Sequence, residues 1–165
     1  MNSEATHADH MFEVVDLDTI IDDVKKDFEH VIAKNKVIIQ YTPLCEAIII
    51  RIQFRQLIHN LFSNSFKFTR PTITPHIKIE SEIIKWSKSS DVKLESQKMY
   101  CHITYADNGN GFDPKVFRLF NNNDEYKGLG AGLSICKRII ENHHGAIYAS
   151  GKVNLCTRFD IYIPA

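Results

Sequence analysis

The sequence predicts an α/β (α+β) two-layer sandwich, a mixed and mainly antiparallel sheet packed against three helices. Three observations lead to it. Three stretches carry apolar residues at helical spacing, and the shorter runs between them alternate apolar and polar side chains at the period of a half-buried strand. Most of those strands are neighbours along the chain, which favours antiparallel pairing and leaves the helices to cover one face. The chain has 165 residues, 44% of them hydrophobic, enough for one domain whose core requires neither disulfides nor a structural metal.

Residues 1–11 lack the apolar core of a signal peptide and read as a flexible arm or an expression remnant, so the folded domain is expected over residues 12–165. From Leu17, residues Ile20, Ile21, Val24, Phe28, Val31 and Ile32 recur at three- and four-residue steps, which predicts one amphipathic helix. Residues 36–41 and 47–50 are short strand-like runs on either side of Pro43. A second helix is expected over about 53–68, ended by Arg70-Pro71. Residues 76–80 and 102–105 alternate as strands, joined by a polar, irregular connection over 85–98. The run Asp107-Asn108-Gly109-Asn110-Gly111 follows, then a short apolar segment, 116–120, and a polar run, 121–127. Gly128-Leu129-Gly130-Ala131-Gly132 opens a third helix bearing Leu133, Cys136, Ile139 and Ile140, and Gly145 closes it. Strands at 146–150 and 159–163 complete the sheet.

Charge and cysteines narrow the function. Twenty Lys and Arg balance twenty Asp and Glu, so no positive field exists to hold a nucleic acid or an anionic membrane, and any phosphate must be bound locally. Cys45, Cys101, Cys136 and Cys156 are scattered, without the spacing of a zinc site, and read as reduced thiols of a cytoplasmic protein. Of the eight histidines, His30 reads as a surface helix residue, and His143-His144 as hydrogen-bonded or dipole-complementing rather than metal-binding.

Three elements carry chemistry. On the second helix Asn60, Asn64 and Lys67 fall within roughly 60° of one another at 100° per residue. Amide oxygens suit a hard cation such as Mg²⁺ and the ammonium suits phosphate, although a solvated helix face is the plainer explanation of the stripe taken alone. Asp107, at a strand end, is placed to accept a hydrogen bond from an exocyclic amine, and Gly109 and Gly111 remove β-carbons that would block a flat ring; a plain Asn-Gly turn explains the segment about equally well. Gly128, Gly130 and Gly132 put bare amides at a helix N-terminus, which favours anions. That spacing is neither a dinucleotide fingerprint nor a Walker loop.

Together these elements resemble the catalytic, ATP-binding (HATPase) domain of sensor histidine kinases, in the GHKL superfamily of the Bergerat ATP-binding fold. Gln56-Leu57-Ile58-His59-Asn60-Leu61-Phe62-Ser63-Asn64-Ser65-Phe66-Lys67-Phe68-Thr69 is similar to the N box, and Asp107 to Phe112 to the first glycine box. Phe117 to Phe120 resemble the F box, and Gly128 to Lys137 the second glycine box. The resemblance implies that Asn64 coordinates Mg²⁺ on ATP with Asn60 nearby, and that Lys67 meets the phosphates. It implies that Asp107 binds the adenine amine beside Phe68, with Gly109 and Gly111 in its loop. Gly128, Gly130, Gly132 and Leu133 would form the nucleotide-facing helix start, Thr157 would lie near adenine, and residues 113–127 would be the lid. Superfamily ATPases carry a glutamate where this chain has Asn60, and an amide cannot act as a general base. That sides the chain with the kinases, which pass the γ-phosphoryl to a histidine on a separate dimerisation domain, in the same or a partner chain, and through it to a response-regulator receiver. None of the histidines here stands in such a phosphoacceptor setting, so the chain is expected not to complete autophosphorylation alone. It departs from the family in a short lid and in Cys156-Thr157 where Gly-Thr is usual. Those departures keep two alternatives: a degenerate nucleotide-sensing or docking module, and a stand-alone GHKL serine kinase or ATPase. The isolated domain is expected to be a monomer, cytosolic or the cytoplasmic part of a membrane sensor.

Overall fold

The structure, a computed structural model that describes residues 11–87, 94–122 and 130–165, is a sheet with helices on one face. The chain enters through β1 (Phe12–Asp16), α1 (Leu17–Asp27) and α2 (Glu29–Asn35), then β2 (Ile38–Tyr41) and β3 (Glu46–Ile50). It continues through α3 (Arg51–Lys67), β4 (His76–Lys85), β5 (Met99–Asp107), α4 (Pro114–Asn122), α5 (Ala131–Asn142), β6 (Ala146–Lys152) and β7 (Cys156–Pro164). Among the described residues, no helix is long and apolar enough to cross a membrane.

Five strands form the main sheet in the order β2-β4-β5-β7-β6, with β2 parallel to β4 and the other pairs antiparallel. Strand alternation sends Ile77, Ile79, Ile103, Tyr105, Phe159 and Ile161 to one face, where they meet Leu57, Ile58, Leu61 and Phe62 of α3 in a single buried core. The neighbouring α1 and α5 add Ile20, Ile21, Val24, Cys136, Ile139 and Ile140. Each large side chain so buried contributes about 1.5–3 kcal/mol relative to exposure, so the packed face decides the register. β1 and β3 make a separate antiparallel ribbon, Val14 opposite Ile48.

Three elements differ from the sequence expectation. The first helix breaks at Phe28 (φ −112°, ψ 18°), because its ring packs among His59, Phe62 and Phe66 while its N–H turns back to the Lys25 carbonyl. Strand β1, absent from the expectation, buries only Val15 deeply and so shows little alternation. The apolar segment 116–120 is a full helix, α4. The described residues thus hold five helices rather than three. At the end of α5 it is His144, not Gly145, that takes the left-handed backbone (φ 59°); Gly145 is required because a Cβ there would lie 2.0 Å from the Tyr162 carbonyl oxygen.

Candidate functional site

Helix α3 turns its apolar side to the sheet, which leaves Asn60 and Asn64 toward α5. The amide nitrogen of Asn64 is buried and makes no hydrogen bond, and that of Asn60, also buried, lies against the Cys136 thiol. A buried amide without a partner costs about 1–3 kcal/mol, which makes this helix face a candidate place for a polar ligand. The Asn64 carboxamide faces the start of α5: a Cβ on Gly132 would come within 3.9 Å of Asn64 Oδ1. Gly130 precedes the helix with φ 79°, and Leu133 in its first turn is buried. Gly128 lies outside the described residues. The Lys67 ammonium, exposed at the last turn of α3, rests 5.5 Å over the Phe68 ring, which in turn meets the Phe112 ring edge-on.

The second half of the site rises from the sheet. Asp107 ends β5, and its register partner on β7 is the buried Thr157. Both Asp107 oxygens are engaged from the protein side. The Ser65 hydroxyl donates to Oδ2 at 2.6 Å and the Gly109 N–H donates to Oδ1 at 2.9 Å. Tyr105, two residues before on the same face, meets Ser65 Oγ at 2.7 Å. Burial pushes the Asp107 carboxyl above the usual range, while these two donors pull it back.

The glycines of this loop also answer a packing need within the protein. A Cβ on Gly109 would lie 2.6 Å from the Phe68 carbonyl oxygen, and Gly111 (φ 70°) would press one to 2.8 Å from the Lys152 carbonyl oxygen. The loop is therefore clamped between the end of α3 and the β6–β7 turn, with Asn110 N–H donating to the Phe68 carbonyl and Asn154 N–H to that of Asn110. Of the segment expected as a lid, residues 114–122 form α4, and 123–127 lie outside the described residues. The buried Lys137 of α5 donates to the Phe120 carbonyl, and Asn121 brackets Ala149 through both its amide atoms at 2.8 Å.

The structure thus gathers Asn60, Asn64, Gly132 and Leu133 in one place, and Asp107, Gly109, Phe68 and Thr157 beside them. The sequence reading passes over Ser65 and Tyr105. Tyr105 and Asp107 share a strand face and Ser65 follows Asn64, but nothing local in the sequence sets that helix over that strand.

A buried unpartnered amide beside a glycine-opened helix, with an anchored carboxylate at the end of β5, makes a candidate polar ligand site. The family of histidine kinase-, DNA gyrase B-, and HSP90-like ATPases matches residues 49–165, and the chain belongs to that family. Cyanobacterial phytochrome A of Nostoc sp. is 30% identical over 160 residues, covering 93% of this chain and 19% of that protein. The phytochrome-like protein Cph1 of Synechocystis sp. is 34% identical over 121 residues, 69% of this chain and 14% of that protein. The chain therefore spans a fifth or less of these relatives. Among solved structures, the catalytic domain of histidine kinase ThkA, in a nucleotide-free form, superposes with a TM-score of 0.68 at 25% identity, covering 93% of this chain and 97% of that one.

Proposed function

We propose that this chain is the Mg²⁺-ATP-binding catalytic part of a sensor histidine kinase, donating the γ-phosphoryl to a histidine on a dimerisation domain in the same or a partner chain. The observation that supports the reading is the buried, unpartnered amide nitrogen of Asn64, on a carboxamide that faces Gly132 at the start of α5. A neutral oxygen ligand beside a helix N-terminus would suit a triphosphate and its Mg²⁺.

Asn64 would hold Mg²⁺ through Oδ1, and the α5 amides would take phosphate oxygens. When bound, Mg²⁺ spreads the phosphate charge and eases attack on phosphorus. Lys67 adds a mobile positive charge at the rim, and Asp107 accepts the base amine with Thr157 beside it. Asn60 stands where a water-activating carboxylate would be needed, and an amide cannot take that proton. The γ-phosphoryl is then kept for an imidazole nitrogen, which forms the new N–P bond as the P–O bond to ADP breaks. Transfer onward to a receiver domain, and a cytoplasmic location, follow from the same reading.

The test is phosphotransfer from labelled ATP to the dimerisation domain of a sensor kinase such as the phytochrome relatives. The expected product is acid-labile, base-stable phosphate on that domain, lost in Asn64→Ala, with negligible steady hydrolysis by the chain alone. Steady hydrolysis, or acid-stable phosphate on serine, contradicts the proposal.

A further inference from the structure

We infer that Ser65 and Tyr105 set the base selectivity of this site, holding Asp107 as a fixed hydrogen-bond acceptor that admits a 6-amino purine and rejects a 6-oxo purine. The inference rests on the nucleotide reading above and names two positioning residues it did not contain.

The direction of the relay follows from what each group can do. An ionised carboxylate only accepts, so the 2.6 Å contact between Ser65 Oγ and Asp107 Oδ2 uses the single hydroxyl proton of Ser65. Ser65 Oγ must then accept across its 2.7 Å contact with Tyr105, whose hydroxyl donates. The Gly109 N–H, 2.9 Å from Oδ1, fixes the other oxygen. Ser65 and Tyr105 are 6% and 1% exposed, so bulk water competes little for either hydroxyl, and an ionised Asp107 orients the chain of bonds in one direction. Two fixed donors stop the carboxylate from rotating, and its remaining lone pairs point away from them.

A purine with an exocyclic amine presents an N–H to such a group. A purine with a carbonyl there presents acceptor to acceptor, which the site tolerates only if Asp107 takes up a proton. Burial favours that proton, and the Ser65 hydroxyl and Gly109 amide oppose it. Removing the Ser65 hydroxyl takes away one of the two, so the carboxyl protonates more readily and gains a donor suited to a 6-oxo group. Ser65 therefore acts through Asp107 on which purine is accepted, in addition to any effect on affinity.

The experiment compares dissociation constants of ATP and inosine triphosphate, with Mg²⁺ at pH 7, for the chain and for Ser65→Ala, Tyr105→Phe and the double variant. The double variant leaves no orphaned hydroxyl, and its thermal midpoint reports that it folds. The chain is expected to prefer ATP. Ser65→Ala and the double variant should narrow the ATP-to-inosine preference roughly tenfold, and Tyr105→Phe by less, in line with a charge-assisted hydrogen bond. An unchanged preference in Ser65→Ala and the double variant overturns the inference while leaving the nucleotide reading intact. If the unmodified chain binds neither nucleotide, both readings fall.

Discussion

His143 is almost fully buried, with both ring nitrogens engaged: Nε2 accepts the Ile50 N–H at 3.0 Å, and Nδ1–H donates to the Ile139 carbonyl at 2.7 Å. That pattern requires the neutral ring, and burial lowers its proton affinity below the ordinary 6.5. The unfolded chain therefore binds the proton more readily, and stability present above pH 6.5 is lost as pH falls through the depressed folded value. Thermal midpoints between pH 7.5 and 5.5 should fall less steeply for His143→Gln than for the unmodified chain; parallel slopes would count against the neutral assignment. His144 has a left-handed backbone that a side chain tolerates poorly, so His144→Gly should raise the midpoint by about 2–4 °C, the equivalent of about 1 kcal/mol in a domain this size. Asp107→Asn should weaken ATP about tenfold, since the charged acceptor becomes a neutral amide whose single oxygen already takes the Gly109 N–H. Helical spacing and a strand end gave the placement of Asn60, Asn64 and Asp107, and the family resemblance gave the roles proposed for them. Ser65 was not legible, because its role exists only once β5 runs beneath α3.

At the scale of elements, α4 is the piece most exposed to change. Its amphipathic face buries only Phe120 fully, and its C-terminal end hangs on the Lys137 ammonium and the Asn121 amide. Lys137→Met preserves the buried stem and leaves the Phe120 carbonyl without that donor. Hydrogen exchange across 114–122 should quicken about tenfold or more, by the cost of an unpaired buried acceptor, while β5 and β7 stay protected. Equal exchange in both proteins would show that the lysine does not hold the helix. The second and third helices were readable because their apolar periods end at real boundaries. The first period runs on past Phe28, where a tertiary aromatic cluster, rather than any local breaker, interrupts the helix. Strand β1 escaped for a related reason: its pairing with β3 leaves Val14 exposed at 65%, so no alternation announces a buried face.

For the whole molecule, zero net charge and a binding site built from amides belong together. On the proposed reading, recognition of a triphosphate rests on Asn64, the α5 amides and Lys67, and it depends on α3, α5 and the β5 end holding their positions around one core. That architecture was legible as layers and as an alternation of helices and strands. The parallel edge pair β2–β4 and the separate β1–β3 ribbon were not, since both depend on which distant segment lies alongside. The most direct measurement of the central claim is calorimetric titration of the 165-residue chain with ATP, with and without Mg²⁺, beside Asn64→Ala. The account predicts binding that Mg²⁺ strengthens in the unmodified chain and a loss of that Mg²⁺ dependence in the variant. Absence of binding at millimolar ATP, or the same Mg²⁺ dependence in both proteins, would contradict it.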